Sequence, residues 1–231
     1  MGAPVSEVAI IPLAKGADPR VENSEAANSL ARSIQGTIEQ PGFQRMAWGL
    51  YKNDPSVMVM LVDWDDLESH LAFMAAPYYE AFMDGFNEIV GGSIVLFHAI
   101  FEEGVGILPL VELNKHTADV SFAFFPAPSL TQDFQDDLSL ASRAVNMALL
   151  ESNDAPSSIA SGWCSDDALD EERDGKGPER PWMSIVTWKT TEDRQRAWDR
   201  KSVLGDIPKL AEGQGELKIF EVEFQPVVFK P

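Results

Sequence analysis

Residues 41–82, PGFQRMAWGLYKNDPSVMVMLVDWDDLESHLAFMAAPYYEAF, decide the fold of this chain. Two apolar runs, 43–51 and 57–64, flank KNDPS, whose Asn, Asp and Pro favour a turn, so they predict a β-hairpin. Asp65 and Asp66 then start a helix, in which apolar residues keep helical spacing around a break at Pro77. The stretch therefore predicts two paired strands followed by a helix.

The flanking sequence extends this core on both sides. The mostly apolar run 5–14 predicts a strand, and a helix capped by Ser24 follows it until Pro41 and Gly42 end the pattern. After the second helix, 93–101 predicts another strand. The order strand, helix, strand, strand, helix, strand is that of a ferredoxin-like βαββαβ unit.

The second half of the chain repeats this order. Its predicted elements are a strand at 119–127, a helix at 130–150, strands at 157–165 and 181–188, a short helix ending at Trp198, and a strand at 215–229. Val8, Gly49 and Trp64 correspond to Val120, Gly162 and Trp188. We therefore divide the chain into a first repeat (1–103), a linker (104–115) and a second, degenerate repeat (116–231).

Several strands are apolar on both faces, so neither face is expected to meet water. Helices cover only one face of each ferredoxin-like sheet, and the other face must pack against a second sheet. The predicted fold is α+β, with two ferredoxin-like repeats forming one α/β barrel of antiparallel sheets. We expect its interior to be filled or lined by large strand residues: Trp48, Trp64, Trp163, Trp182, Trp188, Phe97, Phe122, Phe124, Met58 and Met60.

Composition limits the partners and the compartment. The 231 residues carry a net charge of −19, which disfavours nucleic acid and anionic membrane surfaces as partners. Cys164 is the single cysteine and is expected to be a packing residue in a reducing compartment. No export signal or membrane span is readable, so we expect a cytoplasmic protein whose partner is a small hydrophobic molecule. Exposed strand edges would also permit a homodimer.

The segment 41–82, with its strand ending in Trp, its helix with H-x-x-F and its following Ala-Pro-Tyr, resembles the dimeric α/β barrel superfamily. Within it, the chain is similar to the antibiotic-biosynthesis-monooxygenase-like (ABM) tandem proteins of fungal type. The resemblance implies an α/β barrel and a small-molecule enzyme of secondary metabolism. The resemblance does not determine which reaction is catalysed, because the superfamily includes cofactor-free monooxygenases, polyketide cyclases and haem enzymes.

His70 is the first candidate catalytic residue, because imidazole suits proton transfer near neutral pH. His98 lies in an otherwise apolar strand and could form an acid–base pair with His70. Tyr79 is a third catalytic candidate, whereas Phe73 stands where family members place a proton-transferring residue. Trp48, Tyr51, Trp64 and Phe73 are the candidate substrate-binding residues. In the second half Arg194 replaces His70, which predicts one functional site, in the first half.

The leading hypothesis is a cofactor-independent, monooxygenase-like enzyme acting on an apolar aromatic or polyketide-like substrate. The alternatives are a polyketide cyclase or decarboxylase, and a non-catalytic binding or stress-response barrel. No nucleotide-binding, serine-hydrolase or zinc-peptidase motif occurs, so no cofactor is predicted. Haem is retained only by analogy with the family, with His70 or His98 as its ligand. The acidic residues of 63–68 suit a helix N-terminus, and no metal site is predicted.

Overall fold

The computed structural model describes residues 4–101, 117–126, 130–152, 154–164, 179–199, 216–225 and 228–229. Three predicted features lie outside these residues: the linker 104–115, the surface position of His116, and most of 166–180, which the sequence predicts to be a polar surface loop. The proposed boundaries of the two repeats therefore stay predictions.

The first half contains four strands and three helices in the predicted order. They are β1 (Val5–Pro12), α1 (Glu25–Ile38), β2 (Phe43–Tyr51), β3 (Asp54–Trp64), α2 (Leu67–Met74), α3 (Tyr79–Asn87) and β4 (Val95–Ala99). Ser24 and Asp66 cap α1 and α2 by accepting hydrogen bonds from backbone N–H groups. Pro77 separates α2 from α3, as its lack of an N–H requires.

The second half contains β5 (Thr117–Pro126), α4 (Gln132–Leu150), β6 (Ser158–Trp163), β7 (Glu179–Trp188), α5 (Thr191–Asp199), β8 (Glu216–Phe224) and β9 (Val228–Phe229). Side-chain oxygens of Thr131 and Thr190 accept backbone hydrogen bonds at the starts of α4 and α5. The helix and strand order of the first half thus recurs where the repeat predicts it.

All strands join one antiparallel sheet in the order β4-β1-β3-β2-β8-β5-β7-β6, with β9 beside β2. Each half has the ferredoxin-like strand order, and the halves meet twice. One seam is the pairing of β2 with β8; at the other, Ala99 bridges Cys164, and the N–H of Ile100 donates to the carbonyl of Trp163. The predicted α/β barrel of two repeats is confirmed.

Apolar side chains from both halves fill the barrel, among them Val8, Leu61, Phe97, Val120, Phe122, Phe124, Cys164 and Val222. The expectation that tryptophans fill it is wrong. Trp48 and Trp64 lie beneath the helices of the first half, and Trp163, Trp182 and Trp188 lie beneath those of the second. Successive strand residues face opposite sides, and it is Val59 and Leu61 that point inward while Met58, Met60 and Trp64 point toward the helices.

Two equivalent glycines stand at the two seams. A Cβ at Gly49 in β2 would lie 2.5 Å from the carbonyl oxygen of Glu223 in β8, and a Cβ at Gly162 in β6 would overlap the carbonyl of Ile100. Both obstacles are backbone atoms, so the strands approach closely only because these positions lack side chains. This explains why the repeat places glycine at both positions.

The strand edges that suggested a homodimer are used inside the chain, because β2 pairs with β8 and β4 meets β6. Dimerisation itself stays a prediction. None of the helices in the described ranges is long and apolar enough to span a membrane.

Candidate active site

A small cavity of about 60 Å³ lies between the sheet and the helices of the first half. Strands β1 to β4 form its floor, and α1, α2 and α3 form its walls. Most of the lining is apolar, with methionine and phenylalanine side chains prominent. The polar exceptions are Glu7, Ser33, Thr37, His70 and Tyr79. The cavity therefore combines an apolar wall with a few polar groups, as small-molecule sites do.

His70 and His98 form a buried pair beside this cavity. The Nδ1 atom of His70 lies 2.7 Å from Nε2 of His98. Both residues are buried, with exposed fractions of 2% for His70 and 3% for His98. α2 supplies His70 and β4 supplies His98, so the contact joins a helix to the sheet. At that distance one ring nitrogen donates a hydrogen to the other. The two histidines singled out by the sequence are thus in direct contact.

Glu7 on β1 is the third member of this cluster, and the sequence analysis missed it. Its Oε2 lies 3.4 Å from Nε2 of His70 and accepts a hydrogen bond from Nε1 of Trp64 at 2.9 Å. In the sheet, Glu7 is also the register partner of His98. The available signal was a single charged residue within the apolar run VSEVAIIP, on the same strand face as Ala9 and Ile11.

The contacts of His70 are compatible with a hydrogen on either ring nitrogen or on both. Neutral His70 and His98 share one hydrogen between their rings. When His70 is an imidazolium, it directs Nε2–H to Glu7 and Nδ1–H to His98. The two states differ by one proton but need the same positions of the heavy atoms. The cluster is therefore suited to accept a proton from a molecule in the cavity.

Two aromatic residues extend the site from His70 toward α3. The ring of Phe73 packs edge-on against Tyr79, with 5.1 Å between centroids, and both line the cavity. Burial, and secondly the negative charge of Glu7, raise the pKa of Tyr79 above its usual value of 10.0. The Tyr79 hydroxyl thus remains a hydrogen-bond donor at neutral pH.

The remaining predicted site residues lie outside the lining. Trp64 stacks on the ring of His70, with 5.1 Å between centroids, and therefore contacts the site through His70 without lining the cavity. Trp48 is buried in the same apolar cluster without reaching the cavity. Tyr51 packs on Phe220 of β8, at the seam of the barrel. Of the four proposed substrate-binding residues, only Phe73 lines the cavity.

The second half carries a cluster at the equivalent positions, with different chemistry. Asp119, Trp188, Arg194 and Glu221 stand where the first half has Glu7, Trp64, His70 and His98. Arg194 forms ion pairs with Asp119 at 2.8 Å and with Glu221 at 3.1 Å. Nε1 of Trp188 donates to Asp119, as Trp64 does to Glu7. A permanently charged arginine thus replaces the titratable histidine pair.

Metal and haem fit this site poorly. Across the described ranges, no group of three or more His, Cys, Asp or Glu side chains could hold a metal ion. His70 directs Nδ1 at His98 and Nε2 at Glu7, so neither of its ring nitrogens faces an open position for an iron.

Residues 19–85 match the family model described as antibiotic biosynthesis monooxygenase. The match lies within the first half of the chain. The match includes His70, Phe73 and Tyr79 but neither Glu7 nor His98, which lie on the strands outside it. No curated protein matches the chain.

Solved structures of the same fold cover nearly the whole chain. A candidate monooxygenase of Lactobacillus acidophilus has a TM-score of 0.60 at 8% identity and covers 99% of this chain and 97% of its own. A candidate monooxygenase of Fusobacterium nucleatum has a TM-score of 0.62 at 10% sequence identity, and the match covers 99% of this chain and 95% of that protein. An anthrone oxidase-like protein has a TM-score of 0.62 at 13% sequence identity, and the match covers 98% of this chain and 93% of that protein. At these identities the likeness shows the fold alone, and that fold is the tandem barrel.

Proposed function

We propose that this protein is a small-molecule enzyme of secondary metabolism that oxygenates an apolar aromatic or polyketide-like substrate without an organic cofactor. One observation carries the proposal: the buried His70–His98 pair, together with Glu7, borders an apolar cavity lined by Phe73 and Tyr79. A proton acceptor next to an apolar aromatic pocket is what such a reaction needs from a protein.

The chemistry starts with removal of a proton from an electron-rich phenol or anthrone. The resulting enolate is electron-rich enough to reduce dioxygen, which attaches to the carbon as a peroxide. For an anthrone, the proton held by the protein returns to the peroxide anion, and loss of water from the resulting hydroperoxide converts the CH₂ group to C=O. One oxygen atom thus enters the product and the other leaves as water. The protein supplies the proton acceptor at the histidine cluster and excludes bulk water.

Tyr79 has a defined part in this proposal. Because its pKa is raised, its hydroxyl stays protonated and can donate a hydrogen bond to the enolate oxygen as negative charge develops there. Phe73 packs on Tyr79 and offers an apolar surface for the substrate ring. The ABM family description and the anthrone oxidase-like protein of the same fold favour oxygenation of this substrate class.

Oxygen uptake with anthrones and polycyclic phenols tests the proposal. We expect the wild-type protein to consume oxygen and His70→Ala to lose about 10²- to 10⁴-fold in rate. Leu71→Ala is the matched control, because Leu71 is the next residue on α2 and is 48% exposed. Full turnover by His70→Ala would contradict the assignment of the cluster. Product formation without oxygen uptake would instead indicate a cyclase or decarboxylase.

A non-catalytic binding or stress-response barrel is the second candidate, and the size of the cavity favours it. Pockets for drug-sized ligands measure roughly 300–1,000 Å³, whereas this one measures about 60 Å³. An aromatic substrate therefore enters only if side chains of α3 move. A protein that binds aromatic compounds reversibly, but neither deprotonates nor oxygenates them, would support this candidate.

A further inference from the structure

We infer that Glu7, rather than either histidine, is the group that takes the proton directly from the substrate. The inference rests on the proposed function and assigns the step to one side chain. His70 and His98 then act on Glu7 as positioning residues.

Both ring nitrogens of His70 are directed at protein groups. Nδ1 lies 2.7 Å from His98, and Nε2 lies 3.4 Å from Glu7. His98 is not part of the cavity lining, although it touches His70. A substrate therefore reaches neither imidazole nitrogen without separating an existing contact. Glu7 lines the cavity, and its side chain is 13% exposed.

One hydrogen bond and one close contact with His70 involve the same oxygen of Glu7. Oε2 accepts from Trp64 and faces Nε2 of His70. Within the described residues no such contact is made by Oε1, so this oxygen can meet a substrate. A carboxylate held through one oxygen by the N–H of Trp64, with His70 facing the same oxygen, has a fixed orientation and an available lone pair on the other oxygen.

The second half shows that the carboxylate position is part of the fold and that its surroundings set its role. Asp119 holds Trp188 as Glu7 holds Trp64, but its oxygens are also taken up by Arg194 and Trp198. Asp119 is thus saturated by donors, among them a guanidinium. Glu7 has histidines in place of arginine and keeps an oxygen at the cavity. The same position is therefore structural in one half and accessible to substrate in the other.

Proton removal can be measured without oxygen, which separates this inference from the proposed oxygenation. The probe is anthrone in deuterated buffer under anaerobic conditions, with deuterium uptake at its CH₂ group followed by proton NMR. Glu7→Gln keeps the size of the side chain and removes the base. We expect it to slow enzyme-catalysed exchange by about 10²- to 10⁴-fold while anthrone still binds.

Chemical rescue distinguishes a base from a structural support. Glu7→Ala leaves room beside the cavity, and we expect added formate to restore part of its exchange rate, since formate supplies the missing carboxylate. Asp119→Asn is the matched control in the second half: it is expected to lower stability but to keep the exchange rate below its unfolding temperature. Full exchange by Glu7→Gln, or loss without rescue in a folded Glu7→Ala, would overturn the inference.

A third readout needs no substrate. Nitrogen-15 NMR reports which nitrogen of His70 carries hydrogen, and Glu7 predicts the Nε2–H form in the wild-type protein. We expect Glu7→Ala to change this tautomer, and an unchanged tautomer would refute the coupling. If the wild type exchanges deuterium but takes up no oxygen, the proposed oxygenation is refuted, whereas the assignment of Glu7 as the proton acceptor is retained. If it does neither, both the proposed function and the assignment of Glu7 as the proton acceptor fail, whatever tautomer His70 has.

Discussion

Replacement of Phe82 by alanine is expected to let a single aromatic ring enter the cavity without the movement of α3 side chains that the wild type requires. Phe82 on α3 lines the cavity, and its ring lies 5.0 Å from that of Phe73. A buried cavity of about 150 Å³ holds benzene, whereas the present volume is about 60 Å³. Because the deleted side chain contains one benzene ring, its removal supplies approximately the missing volume.

The energetic cost and its recovery can both be estimated. Deletion of a fully buried Phe side chain costs about 3–5 kcal/mol. Phe82 is only half-buried, so we expect about 2–3 kcal/mol. A ligand present at one hundred times its Kd returns about 2.7 kcal/mol. Saturating phenol should therefore restore most of the lost stability of Phe82→Ala.

The assay is thermal unfolding with and without phenol, for the wild type and for two variants. Phe134→Ala is the matched control, because Phe134 is a half-buried helix residue of the second half whose ring lies 5.3 Å from that of Phe125. We expect phenol to raise Tm more for Phe82→Ala than for the wild type, in which side chains of α3 must first move, or for Phe134→Ala. An equal rise for the wild type, or none for Phe82→Ala, would refute the reasoning from cavity volume.

Four other substitutions test the fold and the electrostatics. Gly49→Ala should lower the free energy of unfolding in urea by about 1–3 kcal/mol, because its Cβ meets the backbone of β8. Gly85→Ala on α3 places its Cβ in open space and should raise the free energy of unfolding by about 0.5–1 kcal/mol. Arg194→Ala leaves the buried carboxylate of Asp119 without its main partner, so the same assay should show a loss of about 3–5 kcal/mol. Because the pKa of Tyr79 is raised in the folded protein, the unfolded chain loses the hydroxyl proton first as pH rises above 10.0, and the free energy of unfolding falls there. Tyr79→Phe should make this fall less steep. Tyrosinate absorbance should show that Tyr79 ionises at a higher pH in the folded than in the unfolded protein. A steep alkaline decline in Tyr79→Phe equal to that of the wild type would contradict this assignment.

The order of elements was predictable because it depends on local patterns. The caps at Ser24 and Asp66, the break at Pro77 and the repeat of the βαββαβ order all follow from short-range periodicity and turn chemistry. The orientation of the tryptophans was not predictable in this way. In strands that are apolar on both faces, alternation does not say which face is inside, and a shift of one residue exchanges the two.

The site was predictable only in part, for a similar reason. His70 and His98 could be singled out as polar residues in apolar surroundings, but only the folded sheet and helix place them 2.7 Å apart. Glu7 was overlooked because a single acid near the start of a strand is usually solvent-exposed. Its importance comes from its register opposite His98 and its contact with Trp64, which are long-range features.

The presence of both repeats in one chain has an evolutionary consequence. In a barrel built from two identical subunits, every substitution occurs twice, so a helix residue cannot become arginine on one side and remain histidine on the other. Here His70 and Arg194 occupy matching positions and have diverged. Covalent fusion allows selection to keep a titratable cluster in one copy while the other copy, with its ion pairs, is selected for stability alone.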